Sequence, residues 1–236
     1  MTTAVKSAVP VRPGLPTLPE RIKRLPVDPD RGYPVPWFVE WVDGKPDFRI
    51  MSHEKLLLIV GGEKRCWVCG QKLGVHLAFV IGPMCAVNRI SAEPPSHFEC
   101  AVFSAKACPF LTRPRMHRRE AGKPEGLMDA AGTMIPRNPG VALVWVSKKY
   151  RVIDTKQQNT SRYLFEVGEP RHVFAFTQGR QATKEEIAAS IDSGLPLLEQ
   201  ACELEHTPEE RMGARKDLAR QVMLARQLLG IPQGCG

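Results

Sequence analysis

The stretch from Cys66 to Phe110 holds five of the seven cysteines of this 236-residue chain and constrains its fold more than any other feature. It opens with the Cys-x-x-Cys spacing of Cys66 and Cys69, and near its end Cys100 follows His97 by three positions. Cysteines repeated at short spacings either pair as disulfides or bind a metal. The choice between the two depends on whether the thiols stay reduced.

The compartment is inferred from the start of the chain and from its apolar runs. Prolines interrupt residues 1–30, so the charged-then-apolar pattern of a signal peptide is missing. The longest uncharged run, Leu73 to Asn88, contains Gly82 and Pro83 and predicts a buried hairpin instead of a membrane span. We therefore expect a cytoplasmic protein in which the cysteines stay reduced and bind metal, with zinc as the cofactor.

Four residues are the predicted metal ligands: Cys66, Cys69, His97 and Cys100. Two thiolates two residues apart on a tight turn can bind one ion, and Gly70 relieves the backbone at that turn. Ser96 is expected to cap a helix whose first turn carries His97 and Cys100. Residues three apart lie on one helical face, so both can point at the same metal.

Two further cysteines compete for this site. Cys108 lies eight residues after Cys100, about 12 Å away along a continuous helix, whereas two sulfurs on one zinc are separated by no more than about 4.6 Å. Cys108 is therefore excluded unless the helix ends early. Cys85 is a reserve ligand, because the turn at Gly82-Pro83 could bring it to the metal in place of His97. The alternative to any metal is a set of reduced, buried cysteines.

The tight turn from Cys66 to Gly70 has the spacing of a zinc knuckle, and we call it the knuckle. A knuckle followed by a hairpin and by two ligands at a helix start resembles the treble-clef zinc fold. The resemblance covers only Cys66 to Phe110 and implies a structural zinc ion. The chain as a whole looks like uncharacterised zinc-knuckle proteins of bacteria and their phages, a resemblance that implies no activity.

A second resemblance, to His-Asn-His metal-dependent nucleases, is an alternative interpretation of the same stretch. It implies that His76 activates water, Asn88 supports the loop and His97 holds a catalytic divalent metal. His76 departs from that family because Val75 and Leu77 flank it where an acidic residue or a second histidine is typical. His97 also cannot easily serve both zinc and a catalytic metal.

The predicted fold class is α+β, with a zinc-braced hairpin-plus-helix module, a small antiparallel sheet and a helical C-terminal region. We expect four parts: a Pro-rich extended arm over 1–36, a zinc-knuckle module over 37–120, an antiparallel sheet region over 121–180 and a helical region over 181–236. Prolines at every third position from Pro10 to Pro19 indicate the extended arm.

Short runs of apolar residues predict the individual elements. Strands are expected over 37–42, 47–51, 141–146, 150–153, 163–167 and 172–177, and a short helix over 52–60. Thr183 and Thr207 each match a capping box, and Gly194-Leu195-Pro196 predicts a break between two of the C-terminal helices. The last helix carries an apolar stripe that includes Leu218 and Val222.

The net charge of +8 and pI of 9.3 favour an anionic partner, nucleic acid above all. The densest basic run, TRPRMHRRE, carries the candidate phosphate-binding residues Arg113, Arg115, Arg118 and Arg119. The leading hypothesis is thus a zinc-stabilised, non-enzymatic protein that contacts nucleic acid or a partner bound to it. The alternatives are the nuclease and a protein-interaction adaptor that uses the last helix.

Overall fold

The computed structural model describes residues 9–114, 116–117, 130–132, 137–156 and 161–232. These residues form a mixture of short helices, short strands and two long C-terminal helices. In chain order the elements are α1 (Glu20–Lys23), β1 (Val39–Val42), β2 (Lys45–Met51), α2 (His53–Val60), β3 (Leu77–Ile81), α3 (Pro83–Asn88), β4 (Ile90–Ser91), α4 (Phe98–Ala107), α5 (Pro109–Thr112), β5 (Ala142–Ser147), β6 (Tyr150–Asp154), β7 (Tyr163–Val167), β8 (Pro170–Thr177), β9 (Arg180–Gln181), α6 (Lys184–Cys202) and α7 (Pro208–Leu229).

The strands form small antiparallel sheets, as the sequence predicts, but more than one. A four-stranded sheet has the order β3-β5-β8-β9, a three-stranded sheet the order β4-β7-β6, and β1 and β2 form a separate hairpin. The prediction of one small sheet from strands at 141–177 was therefore wrong in detail. β5 and β6 follow each other closely in sequence but belong to different sheets, because β5 pairs with β3 and β8 whereas β6 pairs with β7.

The hairpin predicted within Leu73–Asn88 is not formed. β3 is followed at once by the helix α3, and its antiparallel partner is β5, with Leu77 opposite Ser147. Pro83 takes the first position of α3, where its missing N–H and fixed φ fit a helix start. Proline thus begins a helix here, where the sequence pattern had suggested a turn back into a second strand.

The described part of the Pro-rich segment, residues 9–36, packs on the rest of the protein. It contains the helical turn α1, which buries Ile22, and it folds back on itself through a bridge between Val27 and Pro34. At its end the Trp37 N–H donates to the Val68 carbonyl at 2.7 Å. The segment therefore contacts the cysteine-containing stretch through the Arg21 side chain, and the backbone contact follows directly after it at Trp37.

Both C-terminal capping boxes are present, with Thr183 and Thr207 each accepting from the backbone of the glutamate three residues on. The predicted break at Gly194-Leu195-Pro196 was wrong, because α6 runs through Pro196. α6 packs against α3 and α7, and tertiary packing of this kind outweighs the low helix propensity of Gly and Pro.

One hydrophobic core contains residues from the Pro-rich segment, the cysteine stretch, the four-stranded sheet and the C-terminal helices. One cluster of buried side chains includes Ile22 of the arm, Trp67 of the cysteine stretch, Trp145 of β5, Ile191 of α6 and Leu218 of α7. Among the residues that the structure describes, no helix is both long enough and apolar enough to cross a bilayer.

Candidate metal centre

The first half of the site is a tight turn around Cys66 and Cys69. The Cys66 N–H donates to the Gln71 carbonyl and the Gly70 N–H donates to the Cys66 carbonyl, each at 2.8 Å. Gly70 has φ +72°, a left-handed value that glycine adopts without the strain a Cβ causes. This backbone turns sharply enough to put both sulfurs on the same side.

The second half of the site comes from the start of α4. His97 is the N-cap residue and Cys100 lies in the first turn, so the two side chains share a face. The expectation that Ser96 is the cap was wrong by one residue. Ser96 instead pairs with Ala78 through two backbone hydrogen bonds of 2.7 and 2.9 Å, which anchor the helix start beside β3.

These two halves bring four ligand atoms together. The sulfurs of Cys66, Cys69 and Cys100 and a ring nitrogen of His97 all lie within 4.8 Å of one another, and all four residues are buried. Sulfurs about 2.3 Å from a tetrahedral zinc ion are about 3.8 Å apart, so this spacing fits one ion at the centre. The four buried side chains are therefore positioned to hold a metal ion.

The His97 ring has a partner on each nitrogen. Its Nδ1 lies 3.4 Å from the Cys69 Sγ, and its Nε2 lies 3.0 Å from the carbonyl oxygen of Lys72. A carbonyl can only accept, so Nε2 carries the proton and Nδ1 is free to act as a ligand. Holding a histidine ligand through its other nitrogen is the usual arrangement at protein metal sites.

Hydrogen bonds to sulfur favour a thiolate at Cys66. The backbone N–H groups of Cys69 and His97 donate to its Sγ at 3.4 and 3.3 Å. Burial by itself raises the pKa of Cys66, but contacts with Cys100, Cys69 and His97 outweigh it and hold that pKa below its usual value. The contact with the Cys66 thiolate raises the pKa of His97.

The pKa values of the other two thiols, Cys69 and Cys100, are shifted upward, opposite to that of Cys66. Contacts with Cys66 and Cys69, together with burial, raise the pKa of Cys100. The contact with Cys100 lowers the pKa of Cys69, but Cys66 and burial outweigh it and the net shift is upward. Three sulfurs this close cannot all carry negative charge unless a cation lies between them, which is the role a divalent metal has in such a cluster.

An arginine of the arm connects the two halves from outside. The Arg21 Nε donates to Glu99 of α4 at 2.9 Å, and its Nη1 donates to the Gln71 side chain beside the knuckle. The hydrogen bond to Glu99 raises the pKa of Arg21, and the charges of Cys69 and Cys100 act in the same direction. The sequence offered no sign of this contact, because Arg21 lies far upstream in a proline-rich segment.

Aromatic side chains cover the knuckle on another side. The Phe38 ring stacks on Trp67 with ring centroids 5.1 Å apart, and the Trp37 ring meets Trp67 edge-on at 6.3 Å. Trp37 also lies directly over Gly70, where a Cβ would fall 2.7–3.0 Å from its ring atoms. The knuckle is therefore enclosed by the chain that leads into β1.

The competing cysteines lie outside the cluster. Cys85 is in α3, where burial raises the pKa of its thiol to about 11. Cys108 lies between α4 and α5, one residue beyond the end of α4. Neither belongs to the group of residues positioned to hold a metal, so His97 and not Cys85 completes the set.

The residues of the nuclease interpretation are not gathered around a separate metal site. His97 has Nδ1 beside the Cys69 sulfur and Nε2 on the Lys72 carbonyl, and the Asn88 Oδ1 accepts from the Ile90 N–H at 3.0 Å. His76 is exposed just before β3. Across the described ranges, the cysteine–histidine cluster is the one group of three or more possible ligands that lies close enough to share an ion.

Of the four candidate phosphate-binding arginines, Arg113 is exposed and lines a shallow surface depression with Thr112, Pro114 and Met116. Arg115, Arg118 and Arg119 lie outside the described residues. Leu218 and Val222, the residues of the adaptor interpretation, pack in the core of the protein itself. At Leu218 and Val222, the apolar stripe on α7 therefore packs against other parts of the same chain.

Comparison with known proteins adds no identification: the chain matches no family model, no curated protein and no solved structure. The resemblance of Cys66 to Phe110 to treble-clef modules stays a prediction. The structure contains the knuckle and the two candidate ligands at the start of α4. In place of the local hairpin that the resemblance implies, it has β3 and α3.

Proposed function

We propose that Cys66, Cys69, His97 and Cys100 hold a structural zinc ion in a protein whose function is to bind nucleic acid or a nucleic-acid-bound partner. The observation that carries the zinc assignment is the buried set of three sulfurs and one imidazole nitrogen within 4.8 Å of one another. Three thiolates and a histidine are a typical donor set for structural zinc. Four protein ligands leave no open position for a substrate, which favours a structural role over a catalytic one.

The binding role rests on charge. The chain carries 33 Lys and Arg against 25 Asp and Glu, and Arg113 is exposed shortly after the helix that supplies two of the proposed ligands. A basic surface attached to a rigid metal-braced element is a common way to meet phosphate groups. The treble-clef resemblance is part of the same proposal.

Elemental analysis of protein purified without a metal-binding tag tests the zinc assignment. We expect one zinc ion per chain in the unmodified protein and loss of zinc in Cys66→Ser and His97→Ala. Cys108→Ser is the matched control, because it removes a nearby cysteine outside the cluster and should leave the zinc content unchanged. A folded, metal-free unmodified protein would contradict the assignment.

Nucleic-acid binding is tested by the salt dependence of affinity. Replacing Arg113, Arg115, Arg118 and Arg119 together with Ala should weaken binding and flatten the dependence on salt by about 0.9 in log–log slope for each lost phosphate contact. Replacing Arg24, Lys64, Lys184 and Lys216, four exposed cations elsewhere on the protein, together with Ala is the control for the same loss of charge. Unchanged affinity and slope in the four-arginine variant would remove these residues from the interface.

A further inference from the structure

Two exposed phenylalanines and a histidine meet beside the metal centre. Phe98, the first residue of α4, comes directly after His97, and its ring centroid lies 5.1 Å from that of Phe174 on β8 at an interplanar angle of 53°. The His172 ring lies 6.3 Å from Phe174, at 36°. We refer to Phe98, His172 and Phe174 as the aromatic cluster. It joins the start of α4 to the β8 side of the sheet.

The aromatic cluster faces solvent although it continues a buried face of the sheet. Opposite His172 and Phe174 on β5 lie Val146 and Val144, which are buried under α4. Phe98 and Phe174 are nevertheless 40% and 37% exposed. Neighbouring large apolar side chains left open to water are a recognised mark of an interaction surface.

Two exposed cations lie close to the aromatic cluster in the fold or in sequence. Two acidic residues are close in sequence to the aromatic cluster. Glu99 is paired with Arg21 at 2.9 Å, and Glu169 is paired with Arg89 at 3.4 Å. Lys148, just past the end of β5, and Arg171, beside His172, are both exposed, and within the described part of the chain neither forms an ion pair. These two acids are ion-paired whereas Lys148 and Arg171 are not, so a polyanion is the partner whose charge the two cations would complement.

The edge of β8 offers little room for an added peptide strand. β9 pairs with Phe176 and Thr177, and the Ala182 N–H donates to the Ala175 carbonyl at 2.9 Å. Because carbonyls alternate sides along a regular strand, the Val173 backbone groups face the same edge as those of Ala175, and a register irregularity at Arg171 ends this regular stretch. Among the described residues the regular open ladder is therefore too short for strand addition to be the main mode of binding here.

We propose that the aromatic cluster is a stacking surface for the bases of single-stranded nucleic acid, with Lys148 and Arg171 meeting the backbone phosphates. Exposed rings flanked by cations are the usual construction for binding single strands, since every base has a face that can stack. Duplex bases are stacked on each other and cannot use such a surface. This inference rests on the proposed nucleic-acid function and names the form of nucleic acid that the protein prefers.

The test compares a fluorescein-labelled oligo(dT) with a labelled duplex of the same length. We expect Phe174→Ala and Phe98→Ala each to weaken oligo(dT) binding by at least about fivefold, because one base–aromatic stack is worth about 1–3 kcal/mol. Duplex affinity should be unaffected by these two changes. Phe174→Trp keeps a stacking ring and should retain oligo(dT) binding.

The controls separate stacking from loss of structure. Trp41→Ala removes another aromatic ring, 41% exposed on β1, and should leave oligo(dT) binding unchanged. Zinc content is measured for Phe98→Ala, since Phe98 lies between two proposed ligands, and Phe174→Ala carries the test if that variant loses metal. Lys148→Ala with Arg171→Ala should flatten the salt dependence for oligo(dT).

Failure of the stacking surface can be told apart from failure of the proposed function. Oligo(dT) binding that is equal in the unmodified protein and in Phe174→Ala would overturn the stacking surface and leave nucleic-acid binding intact. No binding of oligo(dT) or duplex at low salt would overturn both. Binding of an extended peptide that protects the Val173 amide from hydrogen exchange, without oligonucleotide binding, would assign the β8 edge to strand addition instead.

Discussion

At Gly70 the backbone is left-handed, with φ +72°, and the Trp37 ring occupies the space where a Cβ would lie. One residue thus meets two constraints, one from the turn that aims Cys66 and Cys69 and one from the aromatic packing above it. The knuckle spacing in the sequence explains the first constraint. The packing constraint cannot be predicted from the sequence, because Trp37 is distant from Gly70 along the chain and contacts it only in the folded protein.

We expect Gly70→Ala to lower the free energy of unfolding by about 2–5 kcal/mol, measured by urea denaturation of the zinc-loaded protein. A non-glycine residue in the left-handed region costs about 1–2 kcal/mol, and displacing a packed ring adds about 1–3 kcal/mol.

Two other glycines separate these contributions. Gly44→Ala has the same kind of backbone, φ +75°, with nothing within 4 Å of the new Cβ, and should show the backbone cost alone. Gly74→Ala has neither constraint and should change stability by less than about 0.5 kcal/mol. Equal losses for Gly70→Ala and Gly44→Ala would mean that the Trp37 ring moves aside freely.

The proposed ligand set was predictable from the sequence because its logic is local. Cys66 with Cys69, and His97 with Cys100, are each defined by short spacings, and the helical face they share follows from the helix repeat. Arg21 and Phe174 could not be found in this way. Arg21 contacts Glu99 and Phe174 contacts Phe98, both from elements distant in sequence. Contacts of this kind follow no periodic pattern that a single sequence could reveal.

Among the elements, α6 shows how packing overrides a local signal. Gly194 and Pro196 predict a break, yet the helix continues because it is held against α3 and α7. Gly194 has a specific reason to be small: a Cβ there would fall 2.6 Å from the Cγ and Sδ atoms of Met84. The same residue that weakens the helix by propensity permits its close approach to α3.

This contact predicts opposite effects for two glycines in helices. Gly194→Ala should lower the free energy of unfolding by about 0–2.5 kcal/mol, because overpacking against Met84 costs about 1–3 kcal/mol and the gain in helix propensity offsets about 0.5–1 kcal/mol of it. Gly213→Ala, in the interior of α7 with nothing within 4 Å, should raise it by about 0.5–1 kcal/mol through helix propensity. Thermal unfolding of the two variants is the measurement, and stabilisation by Gly194→Ala would contradict the packing account.

At the scale of the whole molecule, the candidate metal centre and the C-terminal helices share one core. Cys66, Cys69 and Cys100 belong to the same buried cluster as Ile187 and Ile191 of α6. Structural zinc contributes about 10–16 kcal/mol of apparent binding free energy in small zinc proteins, and whole domains are stable by about 5–15 kcal/mol. Loss of the proposed ion should therefore lower the stability of α6 and α7 as well as that of the knuckle.

Chelation with a strong zinc chelator should increase amide hydrogen exchange in α6 and α7 together with the knuckle. Added zinc should restore protection and magnesium should not, because thiolate ligands select zinc. Cys108→Ser, which leaves the ligand set intact, should respond as the unmodified protein does. Opening confined to residues 37–120 would instead favour the division of the chain into separate parts, with the zinc-knuckle module folding by itself.

The pairing of β3 with β5 has a consequence for the order of events on the ribosome. All four proposed ligands have been synthesised by Cys100, whereas β3 finds its partner only when Ala142–Ser147 has been made. Chains fold from the N-terminus as they emerge, and contacts close in sequence form before distant ones. A nascent chain can therefore bring the four proposed ligands together before β3 pairs with β5, and the knuckle and α4 then form before β5 has been made.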